Sequence, residues 1–233
     1  MFSGAQFSIH AMSDNFVDVI LGGVRALGSP DDIRLETDDI STLVVGTPQR
    51  VFEAMQSAYA ESCRLGGHVV LQAHISRGCP GEPDDPLCRP QAAAGSESAR
   101  ANSAGGEGPA ATAADGAETA GAGAAHTATP AAATDPRSIG TIGIPVAAQF
   151  SLYPMRTDLY MEVIAAEIEQ MKMNGVFDHN KHFCTKLRGD LATVMAAVHG
   201  SFERAAEHAG HVVIQLTVSK GSPSEKAYRR NTR

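Results

Sequence analysis

Residues Gln6 to Met12 alternate apolar and polar side chains, the pattern of a strand buried on one face. Past a candidate N-cap at Asp14, residues Phe16, Val17, Val19, Ile20 and Val24 recur at helical spacing, and Gly28 ends the run. Ser29-Pro30-Asp31-Asp32 reads as a turn. Ile33 to Asp38 and Ser41 to Val45 predict two short strands, the second closed by Gly46. Thr47-Pro48 opens a second helix, because Pro is tolerated in a first turn. Val51, Phe52, Met55, Tyr59 and Cys63 form its apolar face, and Gly66-Gly67 stops it. His68 to Ser76 then alternates again as a last strand.

The same order returns later in the chain. Ala148 to Met155 predicts a strand, Asp158 to Met173 a helix and His182 to Leu187 a strand. Asp190 to His208 predicts a helix and His211 to Ser219 a strand, while Val176 to Lys181 is the weakest match. The resemblance between copies extends to identities. Gly67 to Pro80 and Gly210 to Pro223 share eight of fourteen residues, and Ala5-Gln6-Phe7-Ser8 returns as Ala148-Gln149-Phe150-Ser151. A period this long marks duplicated domains, not a solenoid. The order βαββαβ, twice, predicts an α+β protein of tandem ferredoxin-like domains. Each would be a four-stranded antiparallel sheet with two helices on one face.

Residues 84–139 break this pattern. From Gln91 to Pro136 there is no Val, Ile, Leu, Met or aromatic residue, so the segment cannot bury enough apolar surface to offset its ordering entropy. The expected organisation is a first repeat over 1–83, a disordered Ala/Gly/Ser/Thr/Pro-rich linker over 84–139, a second repeat over 140–225 and a tail over 226–233. Each repeat has room for one modest core.

Charge and cysteine usage narrow the function. The net charge is −7, and no basic block exceeds Arg229-Arg230, which argues against a nucleic-acid partner. Cys63, Cys79, Cys88 and Cys184 form no CxxC pair and no zinc-ribbon spacing. Cys79 and Cys88 are close enough in sequence to meet in a loop, but free thiols in a reducing compartment are the expectation. Residues Met1 to His10 lack the pattern of a secretory signal, and no apolar run reaches the ~20 residues of a membrane span. A cytoplasmic protein is expected.

Strand periodicity locates the candidate chemistry. With helices over one face, Phe7, Ile9, Val69, Leu71, Ala73 and Ile75 belong beneath them. The opposite face then carries Gln6, Ser8 and His10 with Gln72, His74 and Ser76. The second copy repeats this with Gln149, Ser151, Tyr153, Gln215, Thr217 and Ser219. A solvated face is the plain reading. Recurrence of the same amides and hydroxyls in both copies favours a ligand platform, or a face covered by another domain. Gln, Ser and Thr donate and accept together, which suits a small heterocycle with ring nitrogens and an amino group.

Other features are weaker. Asp38 and Asp39, in Glu36 to Thr42, suit either ordinary turn chemistry or contact with a cationic ligand. The counterpart, His179 to Thr185, lacks these acids, and its His179 and His182 have no evident third ligand for a metal. Ser76 to Pro80 and Ser219 to Pro223 read as strand-ending turns. No P-loop, GxSxG or GxGxxG occurs in either repeat, so no enzymatic activity is expected.

These strings resemble a known family. Gly4 to Ser8, Glu36 to Thr42, Gly67 to Val70 and Gly78-Cys79-Pro80-Gly81 look like the first repeat of the YkoF family. Ala148 to Pro154, Gly175-Val176-Phe177 and His182-Phe183-Cys184-Thr185 look like its second repeat. The resemblance implies a non-catalytic binder of thiamine or its hydroxymethylpyrimidine precursor, without a cofactor. It also implies a homodimer with a supporting role in uptake or salvage beside a membrane transporter. It adds Thr42, Thr185 and His182 to the candidate ligand contacts. An aromatic such as Tyr153 would stack on a ring, and a cationic thiazolium would favour Asp38 or Asp39. One departure is His10-Ala11, where the second repeat keeps Tyr153-Pro154. The competing classes are a regulatory or protein-interaction module without a thiamine ligand, and a degenerate enzyme using His10, His74 or Cys184.

Overall fold

The computed structural model describes residues 3–77 and 140–225. The expected linker and tail, Cys79, Cys88 and the Gly78 turn lie outside the described residues. The first repeat runs β1 (Ser3–Ala11), α1 (Phe16–Arg25), β2 (Arg34–Thr37), β3 (Thr42–Gly46), α2 (Pro48–Leu65) and β4 (Val69–Arg77). The second runs β5 (Pro145–Met155), α3 (Tyr160–Met173), β6 (Phe177–Asn180), β7 (Thr185–Asp190), α4 (Leu191–His208) and β8 (His211–Lys220). Both are ferredoxin-like, as the element order predicts.

Several boundaries shift from the expectation, and two of the shifts change the setting of a named residue. Asn15, not Asp14, precedes α1, and it makes no side-chain cap. His182 lies in a turn before β7, not in that strand. The second helix of each repeat is better terminated. Thr47 accepts from the Arg50 amide at 3.4 Å, and Asp190 accepts from the Ala192 amide at 3.1 Å. Asp190 also takes the amides of Ile142, Gly143 and Ile144, at 3.1, 2.8 and 3.1 Å, and so ties the entry to β5 onto α4.

The two four-stranded units are halves of one sheet. Its strand order is β2-β3-β1-β4-β8-β5-β7-β6, with β4 and β8 paired antiparallel from Val69↔Lys220 to Arg77↔Val212. The second copy follows the first at a constant offset, Ala5 to Ala148 and Gly67 to Gly210, so the seam has pseudo-twofold symmetry about Ala73↔Leu216. Joining the last strands removes two exposed edges, each of which would otherwise offer unpaired backbone groups.

Side chains secure the seam from both directions. Lys220 donates to the Cys63 and Gly66 carbonyls at the end of α2, both at 2.8 Å. Its equivalent, Arg77, pairs with Glu203 on α4 at 2.9 Å. Ser76 meets His211 at 3.1 Å, and Ser219 meets His68 at 3.4 Å. Above the sheet, Phe52 stacks on His199 at 4.8 Å and lies 5.8 Å from Phe202. One apolar layer runs under all of this. Phe7, Leu71, Ile75, Phe150, Ile214 and Leu216 are all buried beneath the helices.

Candidate functional site

The face opposite the helices is where both repeats display polar side chains. Backbone register places them in rows across the four central strands. One row is Gln6, His74, Gln215 and Ser151; the next is Ser8, Gln72, Thr217 and Gln149. The pseudo-twofold axis exchanges the rows, so Gln6 corresponds to Gln149 and His74 to Thr217. His10 and Tyr153 occupy equivalent places in the flanking rows, opposite Val70 and Val213. None of the four glutamines lies beneath a helix: Gln6, Gln72 and Gln149 are exposed and Gln215 is half-buried. Eight polar residues from two domains therefore share one continuous surface.

A loop closes each outer end of this surface. In the first repeat the Asp38 carboxylate accepts the Ile40 and Ser41 amides at 2.8 and 2.7 Å. These two backbone bonds hold the Asp38 pKa below the ordinary carboxylate value. Asp38 thus performs turn chemistry, and Asp39 is exposed beside it. The folded turn is latched to β1: Gln6 Nε2 donates to Ser41 Oγ at 2.9 Å, and Ser8 Oγ donates to the Ile40 carbonyl at 2.9 Å. The second repeat keeps the latch, with Ser151 Oγ donating to the Phe183 carbonyl at 3.1 Å. Ile40 and Phe183 are equivalent loop positions, and both side chains stand in solvent.

Thr42 and Thr185 do not join this surface. Thr42 pairs with Phe7 and Thr185 with Phe150, so the strand pleat turns both to the covered side, where both are buried. Thr42 bonds Thr37 there, oxygen to oxygen at 3.1 Å. His182 is exposed in its turn. Among the described residues no group of His, Cys, Asp and Glu is arranged to hold a metal ion. Cys63 is a free thiol buried under the helices, and burial pushes its pKa up to about 11. Cys184 is also free and partly exposed.

Beyond the shared rows, the outer strands differ in chemistry. Beside Gln6 and Gly4 the strand β3 places Leu43 and Val45; beside Gln149 and Ala147 the strand β7 places Lys186 and Arg188. A bulge between Phe177 and His179 brings Asp178 within 3.3 Å of Lys186 and 3.4 Å of Arg188. Burial opposes ionisation of Asp178, but hydrogen bonds from His179 and Lys186, with the nearby cations, outweigh it and hold its pKa low. Ser41, Lys186 and Arg188 escape sequence reasoning that stops at the central strands. Aligning the two copies residue by residue through the outer strands is the signal that finds them.

The repeats match a known pattern over their full length: residues 2–82 and 145–225 each fit the model of the YkoF-related family. The chain belongs to the YkoF-related family. A Bacillus subtilis (strain 168) member provisionally named HMP/thiamine-binding protein YkoF is 25% identical over 226 residues. The match covers 96% of this chain and 92% of that protein. That relative is named for binding a small molecule, not for a reaction. Among the described residues of this YkoF-related chain, no helix is long and apolar enough to cross a membrane.

Proposed function

We propose that the open face binds a small nitrogen heterocycle of the thiamine class, thiamine itself or hydroxymethylpyrimidine, without catalysis, in support of uptake or salvage. The observation that carries this reading is the pair of symmetry-related rows, Gln6/His74/Gln215/Ser151 and Ser8/Gln72/Thr217/Gln149. Each row supplies amides, which donate and accept at once, beside a hydroxyl and an imidazole or second hydroxyl. That is the complement of an aminopyrimidine edge. The Ser8 and Ser151 latches add to it by holding the end loops in place, so little loop entropy is lost on binding. Tyr153, half exposed in the flanking row, offers a ring for stacking. The name of the Bacillus subtilis relative supports the same ligand class.

Titration calorimetry with thiamine and with hydroxymethylpyrimidine tests this. Binding should appear at micromolar to submillimolar concentrations. Substituting Gln72→Ala or Thr217→Val should weaken it by about fivefold to tenfold, the worth of one neutral hydrogen bond. Absence of heat for both compounds up to millimolar concentration refutes the reading. Product formation from either compound refutes its non-catalytic part.

A further inference from the structure

The two halves of the open face carry opposite charge, and this asymmetry bears on what each half accepts. Among the described residues, the first repeat's outer strands and their turn carry three carboxylates, Glu36, Asp38 and Asp39, against one guanidinium, Arg34, which is paired with Glu36. The residues between them are apolar: Leu43, partly exposed, lies beside Gln6, and Val45, buried, lies beside Gly4. At the same positions the second repeat has Lys186 and Arg188, and the rim residues Asp38 and Asp39 are replaced by Lys181 and His182. Among the described residues, Lys181, Lys186 and Arg188 here stand against one carboxylate, Asp178, which lies within 3.3 Å of Lys186 and 3.4 Å of Arg188. Register makes Lys186 the direct neighbour of Gln149, so positive charge adjoins the same amide that the first repeat sets beside Leu43.

We propose that the second repeat's half of the face takes a phosphate monoester of the heterocycle, while the first repeat's half takes the unphosphorylated, neutral or cationic form. This rests on the ligand class proposed above and adds to it a division of labour. A monoester carries ≈ −1.5 to −2 charge at pH 7, and Lys and Arg recognise it by charge-assisted hydrogen bonds roughly twice as strong as neutral ones. Asp178 does not prevent this. It holds the two cations in a fixed pair on the sheet, which spares a ligand the entropy of ordering them. In the first repeat the same phosphate would meet Glu36, Asp38 and Asp39, and repulsion would exclude it.

The test is calorimetry on the full chain with hydroxymethylpyrimidine, its monophosphate, thiamine, thiamine monophosphate and inorganic phosphate, at low and physiological salt. The expected result is that each monoester binds about tenfold or more tightly than its parent, with an advantage that shrinks as salt rises. The double substitution K186L/R188V, which installs the first repeat's residues, should erase that advantage. Because it strands Asp178, a second variant, K181D/H182D, changes only the exposed turn. It should reduce the advantage by about threefold or more. If the parents bind but the monoesters bind no better, or if neither variant alters the ratio, the division of labour is wrong and the ligand class stands. If inorganic phosphate binds as tightly as the monoesters, the half-site is a bare anion site and the proposal also falls. If no organic compound binds, the ligand class itself falls.

Discussion

The hydroxyl of Tyr59, on a helix of the first repeat, donates to the carbonyl of Val218, on the last strand of the second, at 3.1 Å. The same oxygen lies 2.9 Å from the Val69 carbonyl, so one buried phenol spans the seam between β4 and β8. Burial raises its pKa far above the ordinary value, and it stays a donor at all working pH. Its equivalent in the second repeat is Phe202, so the pocket shape tolerates a bare ring. Tyr59→Phe should therefore keep the fold and cost about 1–2 kcal/mol, the worth of a buried hydrogen bond with its acceptors left short. Urea denaturation should show this as a lowered midpoint. Because the halves share one sheet, wild type and variant should each unfold in a single transition. Two separated transitions would show that the seam does not couple the repeats.

The end loops depend on their serine latches. Ser8→Ala and Ser151→Ala each remove the hydroxyl that holds a loop carbonyl. Amide exchange at Ile40 and Ser41, or at Phe183 and Cys184, should quicken in the matching variant only, and ligand affinity should fall by about threefold to tenfold. Asp38 adds a pH dependence to the first loop. Its folded pKa is depressed by the Ile40 and Ser41 amides, so its contribution is present above the ordinary carboxylate range. It is lost as pH falls through the lower folded value. Exchange protection at Ser41 should decline in acid, and Asp38→Asn should blunt that decline.

At the seam, His211 predicts a second pH effect. Desolvation lowers its pKa below 6.5, and the Arg156 charge acts in the same direction. The unfolded chain then takes up a proton that the folded chain resists. Stability from this group is complete above pH 6.5 and falls as pH drops toward the folded pKa. His211→Gln, which keeps a polar group near Ser76, should flatten the midpoint of denaturation between pH 7 and pH 5. An unchanged slope would mean that His211 titrates alike in the folded and unfolded chain.

The turn after β8 sets a steric limit. Gly221 has φ near +76°, and a Cβ there would lie 2.0 Å from the Gly67 carbonyl oxygen. No side-chain rotation relieves a clash with backbone. Gly221→Ala should destabilise by about 2–4 kcal/mol, combining left-handed strain with displacement of the Gly67 segment. The measured melting temperature should drop accordingly. Gly67→Ala is the control, since its own Cβ direction is open.

Much of this architecture was legible in residue order. Alternation in Gln6 to Met12 and His68 to Ser76 separated the covered side chains from the open ones, because the strand period is two. Thr47-Pro48 and Asp190 marked helix starts through local hydrogen bonding, and the structure uses both caps. The weak match at Val176 to Lys181 became β6, whose bulge at Phe177/His179 breaks the alternation that a sequence reading follows. Thr42 and Thr185 were misplaced among the candidate contacts because a motif string does not state its own pleat. Each lies one residue from an open-face position, and one residue reverses the face.

Local pattern alone determined that the chain is a duplicated βαββαβ unit and that each copy turns glutamines and hydroxyls away from its core. Only tertiary structure decided that Val69 to Arg77 pairs with Val212 to Lys220, making one sheet and one shared polar surface. The reason is physical. Side-chain periodicity is written within a strand, whereas the choice of partner for an edge is made by backbone groups that are alike in every sequence.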